Sequence, residues 1–261
     1  KEISLPEGNY ILRSLENGEV VNLSFRAENE AAIEPTPDPM PMPPMSEAPL
    51  YQLTNGSDQK GSVVVGDKDR RGGHGFRFAC AISHFSYDDP IVFPNQPGKA
   101  HLHMYFGNTE TNASSDGSSL FNSGNSSCIG GIVNRSSYWA PALLNAKGEV
   151  VVPYKSQVYY KSTAYDEIKE VPAGLSMIAS RNVRNAKDGH FEVSGGKDGS
   201  IVKLKIDFPS CVAVENGKPV LTSVDGTRHL AYGKMDGCPE AYPYRIPTMS
   251  MIFAYRINFN S

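Results

Sequence analysis

The stretch of residues 80–108 gathers reactive side chains more densely than the rest of the chain, with a cysteine, three histidines and two adjacent acids. Within it, His101 and His103 alternate with Leu102 and Met104. This alternation is typical of a strand that has one polar face and one face packed into a core. We therefore expect both imidazoles to point to the same side of a strand.

Three histidines have suitable chemistry for a metal site. Neutral imidazole is a good ligand for zinc, copper or iron, and His101 and His103 would face one way on their strand. His229 lies far along the chain, and Asp89 offers an oxygen ligand near the first pair. The sequence thus predicts a divalent-metal site at His101, His103 and His229, with Asp89 as a fourth candidate ligand.

The same four residues also suit acid–base catalysis on a glycan. A histidine, with an unperturbed pKa of about 6.5, can take a proton near neutral pH, and Tyr105 or Tyr232 would give one. A polysaccharide lyase or glycoside hydrolase follows from this interpretation. The alternative interpretation is structural: the histidines form hydrogen bonds under loops near the disulfides and hold a turn-rich body together.

Two further features have both a functional and a structural interpretation. The pair Asp88 and Asp89 could bind calcium or do acid–base work, but an acid before Pro90 is also an ordinary signal for the start of a loop, and the loop is favoured. Trp139, the single tryptophan, could be a glycan-stacking platform, although a tryptophan beside proline is more often a core anchor. Stacking by Trp139 would make the body a carbohydrate-binding module.

Composition excludes several classes of partner. The chain has 261 residues, of which 39% are hydrophobic, and a net charge of −3. That is enough apolar material for a large core, and it gives no basic surface for nucleic acid or for a membrane. No apolar run is long enough to span a membrane, and the chain opens on a polar stretch at Lys1. We expect a mature, soluble chain whose export signal has been removed.

The cysteines favour disulfides over a zinc site, because no CxxC pair is present. Four cysteines allow three connectivities, and the sequence does not decide between them; the sequential pairing of Cys80 with Cys128 and of Cys211 with Cys238 would close loops of moderate size. Each bridge would contribute about 2–4 kcal/mol in an oxidising compartment. The alternative is four buried thiols in a cytosolic protein. Secretion is also favoured by five candidate glycosylation sequons, which begin at Asn22, Asn55, Asn112, Asn125 and Asn134.

The first 49 residues are organised differently from the rest. Two extended runs at residues 9–15 and 19–25 flank Asn17-Gly18, a strong hairpin signal. Residues 34–49 follow, with proline at nearly every second position, which favours a stiff polyproline II spacer. We therefore predict an arm at residues 1–33, a linker at 34–49 and a body at 50–261. The apolar residues of the arm that would mediate assembly are Tyr10, Ile11, Leu12, Val20, Val21, Leu23 and Phe25.

The body has the pattern of an all-β domain. Ile201–Phe208 alternates apolar and charged residues, as a half-exposed antiparallel strand does. Further strands are predicted at 62–65, 150–153, 220–223 and other short runs, and no segment has a sustained helical period. We predict an antiparallel β-sandwich or jelly-roll-like body with long loops.

Several motifs also occur in a fixed order along residues 76–257: RFAC at 77–80, DPIV at 89–92, HLH at 101–103, FGN at 106–108, SYWAP at 137–141, FPSC at 208–211, HLAY at 229–232 and GCP at 237–239. In that order the chain resembles the secreted domain-of-unknown-function family numbered nineteen-ninety-six. The resemblance implies an extracellular, disulfide-bonded domain of the kind found beside carbohydrate-binding or cell-wall modules, and no agreed reaction; residues 1–49 are outside it.

The sequence is compatible with two functions. The first is a non-enzymatic subunit that assembles head-to-tail with itself, since a strand that is unstable alone can add to an open sheet edge of a neighbour. Such donor-strand-like assembly would give an extracellular or surface filament, glycosylated or glycan-binding. The second is the polysaccharide-active enzyme built on His101, His103, His229 and Asp89. The order of arm, linker and body favours the first.

Overall fold

The computed structural model describes residues 75–162, 168–180, 191–195, 201–234 and 237–256, and the backbone of two N-terminal strands. Contacts divide the chain into two units, Lys1–Pro41 and Met42–Ser261. The predicted linker at 34–49 and the predicted strand at 62–65 lie outside the described residues.

The first unit contains an antiparallel hairpin. Strand β1, Gly8–Glu16, pairs with β2, Glu19–Ala27. The register places Gly8 opposite Ala27 and Glu16 opposite Glu19, so the strands meet around the predicted Asn17-Gly18 turn. Both strands are longer than the sequence pattern predicted. The hairpin itself is confirmed.

In the described part of the second unit, nearly all of the regular secondary structure is β-strand. Its elements are β3 Gly75–Ala79, β4 Ile82–Ser86, β5 His103–Gly107, α1 Gly117–Asn122, a 3₁₀ helix Gly131–Asn134, β6 Ser137–Pro141, β7 Leu143–Leu144, β8 Val150–Val151, β9 Lys155–Lys161, β10 Phe191–Ser194, β11 Ile201–Asp207, β12 Cys211–Val212, β13 Val214–Glu215, β14 Lys218–Pro219, β15 Leu230–Ala231, β16 Tyr244–Arg245 and β17 Thr248–Arg256. Every pairing between them is antiparallel.

The largest sheet has five strands in the order β10-β11-β17-β9-β3. Strand β17 is its centre and is buried along most of its length, as a strand flanked on both sides should be. Strand β11 is half-exposed, as the sequence predicted, although exposed and half-buried residues alternate only over its first four positions. The edge strands are β3 and β10.

A three-stranded sheet, β4-β5-β6, packs against the five-stranded sheet and encloses the main core. The ring centres of Phe106 on β5 and Phe253 on β17 are 5.4 Å apart. The hydroxyls of Tyr138 on β6 and Tyr160 on β9 lie 3.0 Å apart. Two antiparallel layers around one core confirm the predicted sandwich class.

A second, smaller core lies under the sheet β15-β12-β16. Val212, Leu230, Tyr232 and Ile246 are buried in it. Each core has one disulfide, Cys80–Cys128 in the main core and Cys211–Cys238 beside the second. Of the three connectivities that the sequence left open, the structure has the sequential one.

One predicted strand is absent from the structure, and one short helix was not predicted. The predicted strand at 220–223 is wrong, because β14 ends at Pro219 and the following residues enter an irregular loop. No signal in the sequence predicted α1, a six-residue helix capped by Asp116. The Asp116 carboxylate accepts from the Ser119 amide, and the Asp116 amide donates to the Ser119 hydroxyl. Within the described residues, none of the helices has the length and apolar character that a membrane crossing requires.

Candidate functional site

The site is built on β5 and the residue pair before it. His103 begins β5 and is buried, whereas His101 lies two residues earlier and is exposed. Their ring centres are 4.4 Å apart, and the ring planes are inclined by 58°. This short distance agrees with the prediction that both imidazoles lie on one side. The predicted strand is corrected, however, because β5 begins at His103 and is buried along both faces.

A stack of three rings runs across the three-stranded sheet beside this pair. Tyr105 on β5 is the middle ring, with His84 of β4 at 4.7 Å and Trp139 of β6 at 5.7 Å between centres. The stack follows from register, since His84 and Trp139 are the direct cross-strand partners of Tyr105. We refer to His84, His101, His103, Tyr105 and Trp139 as the histidine–aromatic site.

Asp88 holds this site in place with both its main chain and its side chain. Its carbonyl accepts hydrogen bonds from His103 Nδ1 at 2.8 Å and from the Tyr105 hydroxyl at 2.5 Å. Its carboxylate accepts from the amides of Gly98, at 2.9 Å, and Ala113, at 3.2 Å. The loop that carries Asp88 is thus fixed at four points.

The bond to Asp88 determines the protonation of His103. A carbonyl oxygen can only accept, so Nδ1 must carry the proton, and in the neutral ring Nε2 has the free lone pair. Burial lowers the pKa of His103, with a further lowering from His101, so the neutral ring is the main form at neutral pH. No described residue bonds to Nε2, and this atom remains in contact with solvent.

Asp89 mainly builds the next turn. One carboxylate oxygen accepts from the amides of Ile91 and Val92, each at 2.9 Å, and the other lies 3.3 Å from Trp139 Nε1. Both oxygens are therefore engaged within the protein. This matches the loop interpretation of Asp88 and Asp89. The hydrogen bond from Trp139 Nε1 to Asp89 also orients the partly exposed indole.

His229 belongs to the second core, where both of its ring nitrogens are used. Nε2 lies 2.9 Å from the Ser176 carbonyl and Nδ1 lies 2.9 Å from the Ser223 hydroxyl. The predicted trio of His101, His103 and His229 therefore does not converge. Among the described residues, no group of three or more His, Cys, Asp and Glu side chains is arranged to hold a metal.

The two tyrosines proposed as proton donors are also engaged. The hydroxyl of Tyr105 donates to the Asp88 carbonyl and that of Tyr232 to the Asp207 carbonyl. Both side chains are buried, and burial raises the pKa of each. Their roles in this arrangement are structural, so acid–base chemistry at the site depends on His101 and His103.

Two motif residues beside the site have structural explanations. Gly107 has a φ of 82°, and a Cβ there would lie 1.9 Å from the Ser136 carbonyl oxygen. Asn108 is fully buried, and its amide donates to the carbonyls of Leu120 and Ser123, at the end of α1. The Gly-Asn pair therefore ends β5 and anchors the helix.

The loops of the two cores meet at Gly226. A Cβ at this position would lie 2.6 Å from Cγ2 of Ile91 and 2.5 Å from Cδ1 of Ile178, and φ is 66°. Ile91 directly follows the Asp89-Pro90 pair. His229 lies three residues beyond Gly226, is bonded to Ser176 and Ser223, and is not part of the histidine–aromatic site.

The sequence also predicts glycosylation sites at five sequons and an assembly surface on the N-terminal arm. Asn112 and Asn125 are exposed, and Asn134 is half-buried with its amide donating to the Ile129 carbonyl. Asn22 lies within β2, and Asn55 is outside the described residues. Of the arm residues, Tyr10, Ile11 and Leu12 lie within β1, and the remaining four lie within β2.

Taken together, the fold and site define a class: an all-β, disulfide-bonded domain with a preorganised histidine–aromatic surface. A family model described as "Domain of unknown function (DUF1996)" matches residues 89–261. The chain belongs to this family, as its motifs predicted. No curated protein and no solved structure gave a significant match.

Proposed function

We propose that the protein is an extracellular structural subunit that assembles head-to-tail with itself through the N-terminal hairpin. The observation that carries this proposal is that β1 and β2 form a two-stranded sheet in a unit separate from the body. A lone two-stranded hairpin is only marginally stable in water. Adding its outer edge to the sheet of another subunit would stabilise it.

The acceptor in this proposal is the β10 edge of the five-stranded sheet. Within the described residues β10 pairs only with β11, and Val193 on it is 73% exposed. The opposite edge is partly covered, since Ile129 donates its amide to the Ala79 carbonyl of β3. Donor and acceptor lie on different parts of the chain, so the contact is head-to-tail and gives a filament unless the rotation closes a ring.

Deletion of residues 1–33 tests the proposal. The full chain should form filaments in negative-stain images and large species in size analysis, and the shortened chain should be monomeric. A point variant gives a sharper test: Leu12→Pro removes a ladder donor from β1, whereas Leu12→Val retains it. Polymerisation of the deletion variant would refute the proposal.

The acceptor edge is tested separately. Val193→Pro should block assembly, whereas Val193→Thr, which keeps the amide and the strand propensity, should not. Mixing the Val193→Pro chain with the Leu12→Pro chain should give dimers at most, since each supplies only one of the two surfaces. Long filaments from this mixture would exclude the hairpin-to-β10 contact.

The second candidate function is a polysaccharide-active site on the body, favoured by the solvent-accessible Nε2 of neutral His103 beside exposed His101. In it His103 takes a proton, His101 gives one, and Trp139 stacks on a sugar ring. His103→Ala should abolish cleavage of a cell-wall or algal glycan without unfolding the protein. Absence of any product across a broad glycan panel would exclude it, and loss of glycan-array binding by Trp139→Ala alone would indicate a binding module.

A further inference from the structure

The described histidines differ in how many ring nitrogens the protein uses. His84 lies 2.9 Å from the Thr111 carbonyl through Nε2 and 2.7 Å from the Ser83 hydroxyl through Nδ1. His229 is likewise bonded at both nitrogens. His103 is 4% exposed but has only Nδ1 bonded. The Nε2 lone pair of His103 is therefore free to bind a ligand, and the bond at Nδ1 sets its direction.

The support around His103 is of the kind found at metal ligands. Ligating histidines almost always donate their other ring N–H to a carbonyl or carboxylate, which fixes the tautomer and the ring orientation. His103 donates Nδ1–H to the Asp88 carbonyl, which is also held by the Tyr105 hydroxyl. The four hydrogen bonds at Asp88 keep this carbonyl in position, so Nε2 is aimed before any ligand arrives.

A second nitrogen ligand is within reach. His101 is exposed, and its ring centre is 4.4 Å from that of His103. Nitrogen–metal bonds are about 2.0–2.1 Å, so two imidazoles at this separation can reach one ion after small rotations of the exposed ring. The absence of a third His, Cys, Asp or Glu at the described site leaves the other coordination positions to water or to an oxygen ligand.

We propose that His101 and His103 form an open, two-histidine site for a late first-row divalent ion, with Cu²⁺ bound more tightly than Zn²⁺. Imidazole nitrogen suits these ions, and the order of affinity follows from their general preference series. The open positions would accept the hydroxyl oxygens of a glycan, which connects this site with the second candidate function. The site is independent of assembly through the hairpin.

Titration of the full chain with Cu²⁺ tests the site, with calorimetry for affinity and electron paramagnetic resonance for the ligands. The wild type should bind about one ion per chain with coupling from two imidazole nitrogens. His101→Gln, at an exposed position that should not disturb folding, should weaken binding by about tenfold or more and lose one coupling. His103→Gln should do the same, and the double variant measures the background from the other histidines.

The matched control is His190→Gln, which changes a histidine elsewhere in the sequence and should leave the affinity and the spectrum unchanged. If His101→Gln binds Cu²⁺ as tightly as the wild type, the proposal is overturned. Tighter binding of Zn²⁺ than of Cu²⁺ would overturn the stated order. Neither result bears on filament formation, which is measured separately. Glycan cleavage by a chain freed of metal would exclude the metal from that reaction without affecting the binding result.

Discussion

Each of the two cores of the body adjoins a buried histidine and a disulfide, but the two histidines are hydrogen-bonded differently. His103, beside the main core, and His229, in the second core, are both buried, and burial lowers the pKa of both. His229 is bonded at both ring nitrogens, whereas His103 keeps Nε2 open. Burial and a shifted pKa therefore do not distinguish a site from a structural contact here; the uncommitted nitrogen does.

The loops next to these histidines have the same type of turn, in which an aspartate side chain accepts two backbone amides. Asp89 and Asp225 each accept the amides of the residues two and three positions later, Ile91 and Val92 in one loop, Thr227 and Arg228 in the other. Only the Asp89 carboxylate also reaches a ring, the Trp139 indole. The same turn chemistry thus serves a functional candidate in one loop and local stability in the other.

The largest expected effect concerns the disulfides. Cys80 and Cys128 are 48 residues apart and Cys211 and Cys238 are 27 apart. By loop-closure entropy, replacing the first pair with alanine should cost about 4 kcal/mol and replacing the second about 3.5 kcal/mol. Urea unfolding of the two double variants measures both. A larger loss from the shorter loop would show that strain or packing, and not loop size, distinguishes the two regions.

The next largest effect is a difference in stability between alanine variants of His229 and His103. His229→Ala leaves the Ser176 carbonyl and the Ser223 hydroxyl without their ring partner, so the free energy of unfolding should fall by about 2–4 kcal/mol. His103→Ala should cost about 1–2 kcal/mol, because the Asp88 carbonyl still accepts from Tyr105. Chemical denaturation compares the two variants. Equal losses would contradict the distinction between an open and a closed histidine.

The pH dependence of stability should reflect His229. Its folded pKa is lowered by burial, so below about pH 6.5 the unfolded chain binds a proton before the folded one does, and stability falls with decreasing pH. The carboxyl of Asp225, held well below its usual pKa by the Thr227 and Arg228 amides, stays charged over this range. Measured between about pH 7 and pH 5, the decline should be shallower in His229→Gln than in the wild type, by at most about 1.4 kcal/mol per pH unit. Parallel profiles would contradict this.

The smallest effect is expected at the two loop acids. Asp89→Asn weakens the contact with the Trp139 indole and should change stability by less than about 1 kcal/mol. Because Trp139 is the single tryptophan, its fluorescence emission reports directly on this contact and should shift. Asp225→Asn is the matched control and should leave the emission unchanged. A shift in the control, or none in Asp89→Asn, would remove the distinction between the loops.

Local patterns were enough to predict much of the fold. The alternation of Ile201–Asp207, the Asn17-Gly18 turn and the high Gly and Pro content give strands, a hairpin and an all-β class, because each depends on neighbours in sequence. The position of β17 between β11 and β9 could not be predicted, since strand partners are not encoded in periodicity. The two-residue strands β12–β16 are likewise too short to give a periodic signal.

The candidate site was predictable only in part. The proximity of the His101 and His103 rings could be predicted, because residues two apart on an extended chain point to the same side. That His229 would be closed by Ser176 and Ser223 depends on residues 53 and six positions away, for which the sequence has no signal. The role of Asp88 was also missed, because the important acceptor is its main-chain carbonyl and not its carboxylate.

That carbonyl has a consequence for how the protein can vary. The atom that sets the tautomer of His103 and holds the Tyr105 hydroxyl belongs to the backbone, so no substitution at position 88 can delete it. A change there can only move it, by releasing the side-chain anchors at Gly98 and Ala113. The orientation of His103 therefore depends on the path of the loop that carries Asp88, more than on the identity of residue 88. Related chains with a different residue at this position can retain it wherever the loop keeps the same path.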